Sequence, residues 1–438
     1  MHLSLIVSLR IVFTLYMVLV LGHLFLERLY AYRSARRSRQ RTRVESGQGS
    51  YLPGVDVVVP CFNEDRELLA ACCRSLEEQD YPGRLCIWIV DDGSANRDDL
   101  RQVFERYAVP EHVTVDRDAS DTCLGDPFPS AGPDRREWRV LLLTRNVGKR
   151  LAQHAGLRLG TGELAITIDS DTSIEPDGVS AIVSALRDPL VGAATGNISV
   201  SNAKTNLLTW LISKRYLIRF ELERAAQAAF DSVLCCSGPF SIYRRTALQR
   251  VWTDYVQQRF LNTRCIAGDD LHLTNLILAD DHRVLYEPRA LALTHVPTTI
   301  RQYLQQQLRW NRSFYRELIW TTPVLVRRWR HAYLAVDVAA RALLPFLLMA
   351  ALLLWLGEGV VVGRALFVND LSLIGAMTLV NAAFVIAHTR NPAFFLLYGL
   401  LHVTLLLPTR LHALVSLADN SWGTREHPET QEPCPSRE

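Results

Sequence analysis

Lysine is nearly absent from this chain. Of its 48 basic residues only Lys149, Lys204 and Lys214 are lysine. A coding bias towards arginine accounts for that background, so a lysine retained in a glycine-containing loop, as Lys149 is, stands apart from it. Net charge is scarce too. At +3 the chain lacks the basic excess that binding a phosphate backbone demands, and composition gives no ground for nucleic acid as a partner. The nine cysteines include no CxxC pair and no regular spacing. Eight lie between Cys61 and Cys265, which suits reduced, buried thiols better than disulfides or zinc. The adjacent pairs Cys72-Cys73 and Cys235-Cys236 point to neighbouring faces and do not read as metal ligands.

The middle of the chain has no long apolar run; the two ends do. Leu3 to Leu26 carries one charge, Arg10, and exceeds the ~20 residues that cross a bilayer. No small-residue cleavage site follows, so the run reads as an anchor rather than a leader. Instead Arg28, Arg33, Arg36, Arg37, Arg39, Arg41 and Arg43 follow, the mark of a cytoplasmic flank. This gives a transmembrane helix at 1–27, a basic juxtamembrane linker at 28–50, and a cytosolic domain at 51–297.

Near the other end, Ala335–Val362 and Leu371–His388 read as spans. Pro392–Leu417 contains Pro408 and Arg410, and reads as one span or as a bent, re-entrant pair of short helices. Three crossings would put the tail outside; a re-entrant third element would return it to the cytosol. The region 333–420 is therefore transmembrane or re-entrant, followed by a polar tail at 421–438. Between domain and membrane, at 298–332, Ile300, Tyr303, Leu304, Leu308, Trp310, Phe314, Tyr315, Leu318 and Ile319 recur at helical spacing among Arg and Gln. This is the pattern of amphipathic interface helices, or of a helix covering the soluble domain.

Within the domain, Val55–Pro60 reads as a buried parallel strand, Glu67–Gln79 as a helix and Leu85–Val90 as a second strand. Trp138–Leu143 and Leu164–Ile168 read as two more, separated from the first pair by a polar insertion from His112 to Trp138. In βαβ sheets ligands bind beyond the carboxyl ends of the strands. Those ends carry Asn63 and Glu64, Asp91 and Asp92, Asn146 to Arg150, and Asp169 with Asp171. Four strands that each deliver charge to one edge make a site. Asp169-x-Asp171 at the end of an apolar strand can place two carboxylates around Mg²⁺ or Mn²⁺ to steady a leaving diphosphate, or can simply cap the helix before Pro176. Gly268-Asp269-Asp270 supplies another pair. Facing the metal across a sugar, a carboxylate there suits a base that takes the acceptor hydroxyl's proton. Gln306-x-x-Arg309-Trp310 offers an aromatic face for a sugar ring and a guanidinium for a phosphate.

The motifs VDVVVPCFNED, WIVDDGSAN, NVGKRLAQ, ITIDSDT, CSGPFSIYRR, GDDLHLTN, QQLRW and SWGTR occur in the order seen in processive family-2 glycosyltransferases. The group includes hyaluronan, chitin and cellulose synthases. The resemblance spans Val55 to Arg425. ATGNISVSNAKTNLLT, ELERAAQ, RWNRSFYRE and SWGTR look like bacterial hyaluronan synthases. FNED, QDYPG, VDDGSAN and NVGKR, with a single N-terminal span, look like the chitin-oligosaccharide synthases of nodulation.

The resemblance implies an α/β GT-A domain with a mixed, mostly parallel sheet, joined to transmembrane and interfacial helices. It implies a multi-pass plasma-membrane enzyme with a cytoplasmic catalytic domain. Its partners would be UDP-sugars, a nascent polysaccharide and the bilayer. Asn63, Glu64, Asp91, Asp92, Lys149, Asp169, Gln306, Arg309 and Arg425 would hold UDP. Asp169 and Asp171 would hold Mg²⁺ or Mn²⁺. Asp270, beside Asp269, would be the base. Trp310, Ser237, Gly238 and Trp422 would receive the acceptor. Hyaluronan synthesis from UDP-GlcNAc and UDP-glucuronate is the first expectation and chitin-oligosaccharide synthesis from UDP-GlcNAc alone the second. More distant are transfer of one sugar to a lipid and a non-catalytic membrane sugar-binding protein.

Overall fold

All seven residues of β1 (Val55–Cys61) are buried, which places it at the centre of a sheet rather than on a face. It pairs in parallel with β2 (Leu85–Asp91) on one side and β5 (Leu164–Thr167) on the other. The ladder to β5 ends at Val58, so Pro60, which has no N–H to give, sits where none is needed. In this computed structural model the residues described are 2–45, 51–113, 136–261, 263–327, 332–361, 379, 382–383, 385–389 and 391–419.

Among the described residues nine strands form the main sheet, and a separate antiparallel pair is made by β9 (Arg259–Phe260) and β10 (Thr263–Arg264). Beyond β2 lie β4 (Arg136–Leu143) and β3 (Pro110–Val113), both parallel. Beyond β5 come β8 (Ser241–Arg244), β7 (Val191–Val200), β11 (Arg283–Thr294) and β6 (Thr172–Ile174). β8 runs against both neighbours and β6 against β11, while β7 and β11 are parallel. The sheet is thus mixed and mostly parallel. Helices α2 (Arg66–Glu77), α3 (Arg97–Tyr107), α4 (Lys149–Leu159), α5 (Gly178–Ser184), α8 (Arg245–Val256) and α9 (Asp269–Ala279) pack against it. Helix α6 (Leu207–Ile218) continues through a wide π turn, Arg219–Arg224, into the short α7 (Ala225–Ala228).

Asp56 is a charge in the middle of β1, fully buried. It is tolerated because Arg245 pairs with it and Gly162 N–H donates to it at 2.6 Å. The same guanidinium donates to the Gly162 and Leu157 carbonyls, so one pair ties β1 to the ends of α4 and β8.

Around this body are long helices. α1 (His2–Glu45) does not stop at the basic segment: residues 28–45, expected as a linker, continue the helix. Arginine is a good helix former, and no Gly or Pro interrupts the segment before Gly47. Tyr30 packs on Phe230 and Tyr333, and Arg37 donates to the Ala229 carbonyl at 2.6 Å. α10 (Ile300–Arg327) is one 28-residue helix rather than several, and it packs on α9. α11 (Ala332–Val361) packs along α1, with Asp337 accepting from His23 at 2.9 Å.

Pro392–Val415 forms α12, one unbroken helical run rather than a pair of short helices; a π turn at His402–Leu406 absorbs the strain ahead of Pro408. Its start meets the catalytic body, with Phe394 against Trp210. Its end meets it again: Arg410 donates to Asn311, and Arg312 and Arg316 hold Ser416, Leu417 and Asp419. Among the described residues three helices are long and apolar enough to cross a membrane: Thr14–Gln40, Ala332–Trp355 and Pro392–Val415. The span expected at Leu371–His388 lies mostly outside the described residues.

Removing one partner of a buried ion pair leaves the other uncompensated. Asp56→Ala is expected to lower unfolding free energy by about 3–5 kcal/mol, read by thermal or denaturant unfolding of the detergent-solubilised protein.

Candidate active site

The acidic groups at the strand ends divide into two kinds. Asp91 and Asp92 are buried and already engaged. Arg97 pairs with Asp91 Oδ2 at 2.5 Å, leaving Asp91 Oδ1 buried with no hydrogen-bond partner among the described residues. Asp92 accepts from Val147 N–H at 2.7 Å, Gly148 N–H at 2.9 Å and the Asn146 amide at 3.0 Å. Its work is to hold the loop that presents Lys149. Asn63 sits in the left-handed region, at φ 47°, which asparagine tolerates better than most residues. Its N–H donates to Ser94 and its side chain accepts from Ala95, so it braces the loops after β1 and β2. Glu64 is buried and accepts from Ser170 Oγ at 2.5 Å, steadying the Asp169–Asp171 turn.

The second kind is partly open. Lys149, the first residue of α4, places Nζ 2.6 Å from Asp169 and 3.7 Å from Asp269. Burial works to lower its pKa, but the carboxylates of Asp169 and Asp269 outweigh that, so the ammonium is held firmly protonated. Asp171 accepts from the Thr172 and Thr294 hydroxyls, both at 3.3 Å. Asp270 accepts from Leu271 N–H at 2.8 Å and Gly238 N–H at 3.4 Å, with Cys235 Sγ at 3.6 Å. Burial and then the Asp269 charge raise the Asp270 pKa above its ordinary 3.8, against the opposing pull of Lys149.

Gly238 is where these groups meet. A Cβ there would lie 3.0 Å from Lys149 Nζ and 3.2 Å from Asp169 Oδ2. The backbone of the Ser237-Gly238 turn therefore runs against β5's carboxylate, α4's ammonium and α9's carboxylate at once. Ser237 is buried, with its N–H on Thr195 Oγ1 at 3.2 Å. Trp310 is half-buried on α10, and the Arg219 guanidinium lies 4.9 Å over its ring. Gln306 and Arg309 share the preceding turn of that helix. Trp422 and Arg425 lie outside the described residues.

Sequence reasoning missed Arg97, Arg219 and Cys235. Arg97 follows the acidic turn after β2 by a few residues, a signal that was available. Arg219 and Cys235 reach the site only through the π turn and the loop after it, which no periodicity reveals.

As to metal, Asp169 and Asp171 are hard oxygen donors on one tight turn, and the Lys149 ammonium on Asp169 shows that the turn holds a cation. The donor set fits Mg²⁺ or Mn²⁺.

Residues 56–122 match the domain described as Glycosyl transferase family 2, and residues 129–313 that described as Glycosyltransferase like family 2. An N-acetylglucosaminyltransferase of Mesorhizobium japonicum is 38% identical over 379 residues, covering 86% of this chain and 83% of the relative. The chain belongs to glycosyltransferase family 2. Other relatives of the same name agree. One from Sinorhizobium fredii is 38% identical (86% of this chain, 85% of the relative), and one from Neorhizobium galegae 36% (92% and 88%). Among solved structures, the mannosyltransferase PcManGT from Pyrobaculum calidifontis, in complex with GDP-Man and Mn²⁺, superposes with a TM-score of 0.55 at 19% identity. It covers 90% of this chain and 99% of its own, and supports the GT-A fold. This family-2 glycosyltransferase thus carries its strand-end acids on the fold its motifs imply.

A methyl group at residue 238 must push back Lys149 or Asp169. Gly238→Ala is expected to reduce turnover about tenfold or more with little change in melting temperature, as displacement of reacting groups does. With Asp270 read as the base, its raised pKa predicts that kcat/KM falls on acidification at a pH above the usual aspartate range. Asp269→Asn removes the like charge that raises it, so the acid limb should move to lower pH in a pH–rate profile.

Proposed function

We propose that this enzyme polymerises N-acetylglucosamine from UDP-N-acetylglucosamine into a β-linked oligomer of the chitin type. The observation that carries this reading is the convergence on Gly238 of Lys149, Asp169 and Asp270, in a chain whose relatives at 36–38% identity are named N-acetylglucosaminyltransferases. The hyaluronan reading comes first on the motifs of the carboxyl-terminal half. It needs a second donor, UDP-glucuronate, and the relatives favour the single-donor alternative.

In this mechanism UDP lies along the carboxyl ends of the parallel strands, with Asp91, Asp92, Asn63 and Glu64 shaping its seat. Lys149 contacts the uracil or the phosphates. Asp169 and Asp171 would hold the divalent cation, which would supply positive charge to the departing diphosphate. Trp310 lies under the acceptor sugar, beside Ser237 and Gly238, with Gln306 and Arg309 framing acceptor and diphosphate. Asp270 takes the proton of the acceptor hydroxyl as that oxygen attacks the anomeric carbon. UDP leaves from the opposite face, so an α-linked donor gives a β-linkage.

The catalytic domain is cytoplasmic and the enzyme sits in the plasma membrane, a reading supported by the arginine tract after the first apolar run. α12 touches the catalytic body at both ends, which supports its lying along that surface with the tail on the same side. Asp419, held by Arg312 and Arg316, brings the chain back to the helix of Trp310.

The test is a product assay on membranes with Mg²⁺ or Mn²⁺, giving labelled UDP-N-acetylglucosamine alone, UDP-glucuronate alone, and both. Chitinase-sensitive product from UDP-N-acetylglucosamine alone is expected. Polymer formed only with both donors and cut by hyaluronidase would restore the hyaluronan reading.

A further inference from the structure

Glu317 lies seven residues beyond Trp310 on α10, two helical turns on and on the same face. It is buried, and among the described residues neither Arg nor Lys pairs with it. Such a carboxylate is costly unless its oxygens are satisfied. They are satisfied by groups from two other parts of the domain. Gln258 donates to Oε1 and Asn275 donates to Oε2 at 3.1 Å, while His272 Nδ1 lies 3.0 Å from Oε1 without the geometry of a hydrogen bond. Asn275 also donates to Thr321, one turn further along α10, at 2.9 Å.

Each partner leads to the site. His272 and Asn275 sit on α9, and His272 is two residues from Asp270. Gln258 Oε1 accepts from Arg150 at 2.7 Å, and Arg150 adjoins Lys149. Arg150 is itself fixed by the Tyr255 carbonyl at 2.9 Å. The two helices also touch at Gly268, where a Cβ would come within 2.8 Å of Ser313 Oγ. α9 and α10 therefore meet with no room to adjust.

We propose that Glu317 is a positioning residue. It sets the register of the acceptor helix α10 against the helix of the base and, through Gln258 and Arg150, against the loop of Lys149. A slip of α10 by one turn would move Trp310 about 5.4 Å and strand the Glu317 carboxylate without partners. An apolar side chain would fill the same space without choosing one register, and fixing register is the best-attested use of buried polar groups. The proposal rests on reading Trp310 as the acceptor platform and Asp270 as the base.

The experiment uses the full-length enzyme in membranes and measures two rates together: UDP release, and transfer of N-acetylglucosamine to a chitin-oligosaccharide acceptor. Without correct acceptor placement, water can take the donor sugar, so UDP release continues while transfer falls. Glu317→Gln is expected to lower transfer about tenfold to a hundredfold, the scale of a misplaced reacting group, and to raise the ratio of UDP release to transfer. The KM for UDP-N-acetylglucosamine should change much less than transfer, because Asp92 still holds the Lys149 loop through the Val147 and Gly148 N–H groups.

UDP release and transfer falling in parallel, in step with the amount of folded enzyme, would overturn the proposal. If Glu317→Gln does not fold, Gln258→Leu severs only the Arg150 arm and must raise the same ratio for the proposal to stand. Asp270→Asn, run alongside, separates the two readings. Transfer retained in that variant refutes the base assignment, whereas a parallel loss in Glu317→Gln refutes only the positioning role.

Discussion

The ammonium of Lys149, shared between Asp169 and Asp269, holds the two halves of the site together. One aspartate ends a central parallel strand; the other opens a helix about a hundred residues further on. Carboxylates brought this close repel one another, and in partly buried surroundings the repulsion is only weakly screened. A cation between them reverses the sign of the contact. Its being lysine has a steric reason in a chain so poor in lysine. Gly238 brings main chain to where a Cβ would stand 3.0 Å from Nζ, a close approach that suits a compact point charge.

The other strand-end acids support this arrangement indirectly. Asp92 accepts three hydrogen bonds from the loop that delivers Lys149, and Asp91 is clamped by Arg97. Glu64 and Asn63 tie adjoining turns to one another. A row of acids that looks uniform in sequence is thus layered in space. Those deeper in the sheet edge fix loops, and those nearer the opening remain available to ligand.

Much of this was legible beforehand because it is local. The apolar runs of β1, β2, β4 and β5 announce buried parallel strands, and the charged residues after each run must share an edge. The helical periodicity from Ile300 onward is similarly plain. What was not legible depends on pairing across the chain. Nothing near Glu317 in sequence shows that it meets Gln258, His272 and Asn275, and nothing near Arg219 shows that a π turn sets it over Trp310. The basic segment after the first apolar run was misread for a different reason. Charge marks a membrane boundary, but it does not end a helix, and arginine propagates one well.

A 44-residue helix is about 66 Å long, while the apolar core of a bilayer is about 30 Å thick. With α1 across a bilayer at modest tilt, about half of it would stand clear of the hydrocarbon. Because Tyr30 and Arg37 fasten its lower half to the residues around Phe230, that surplus acts as a stiff strut rather than a tether. In a membrane, the stand-off between sheet and lipid would be set by counting residues, not by the slack of a linker.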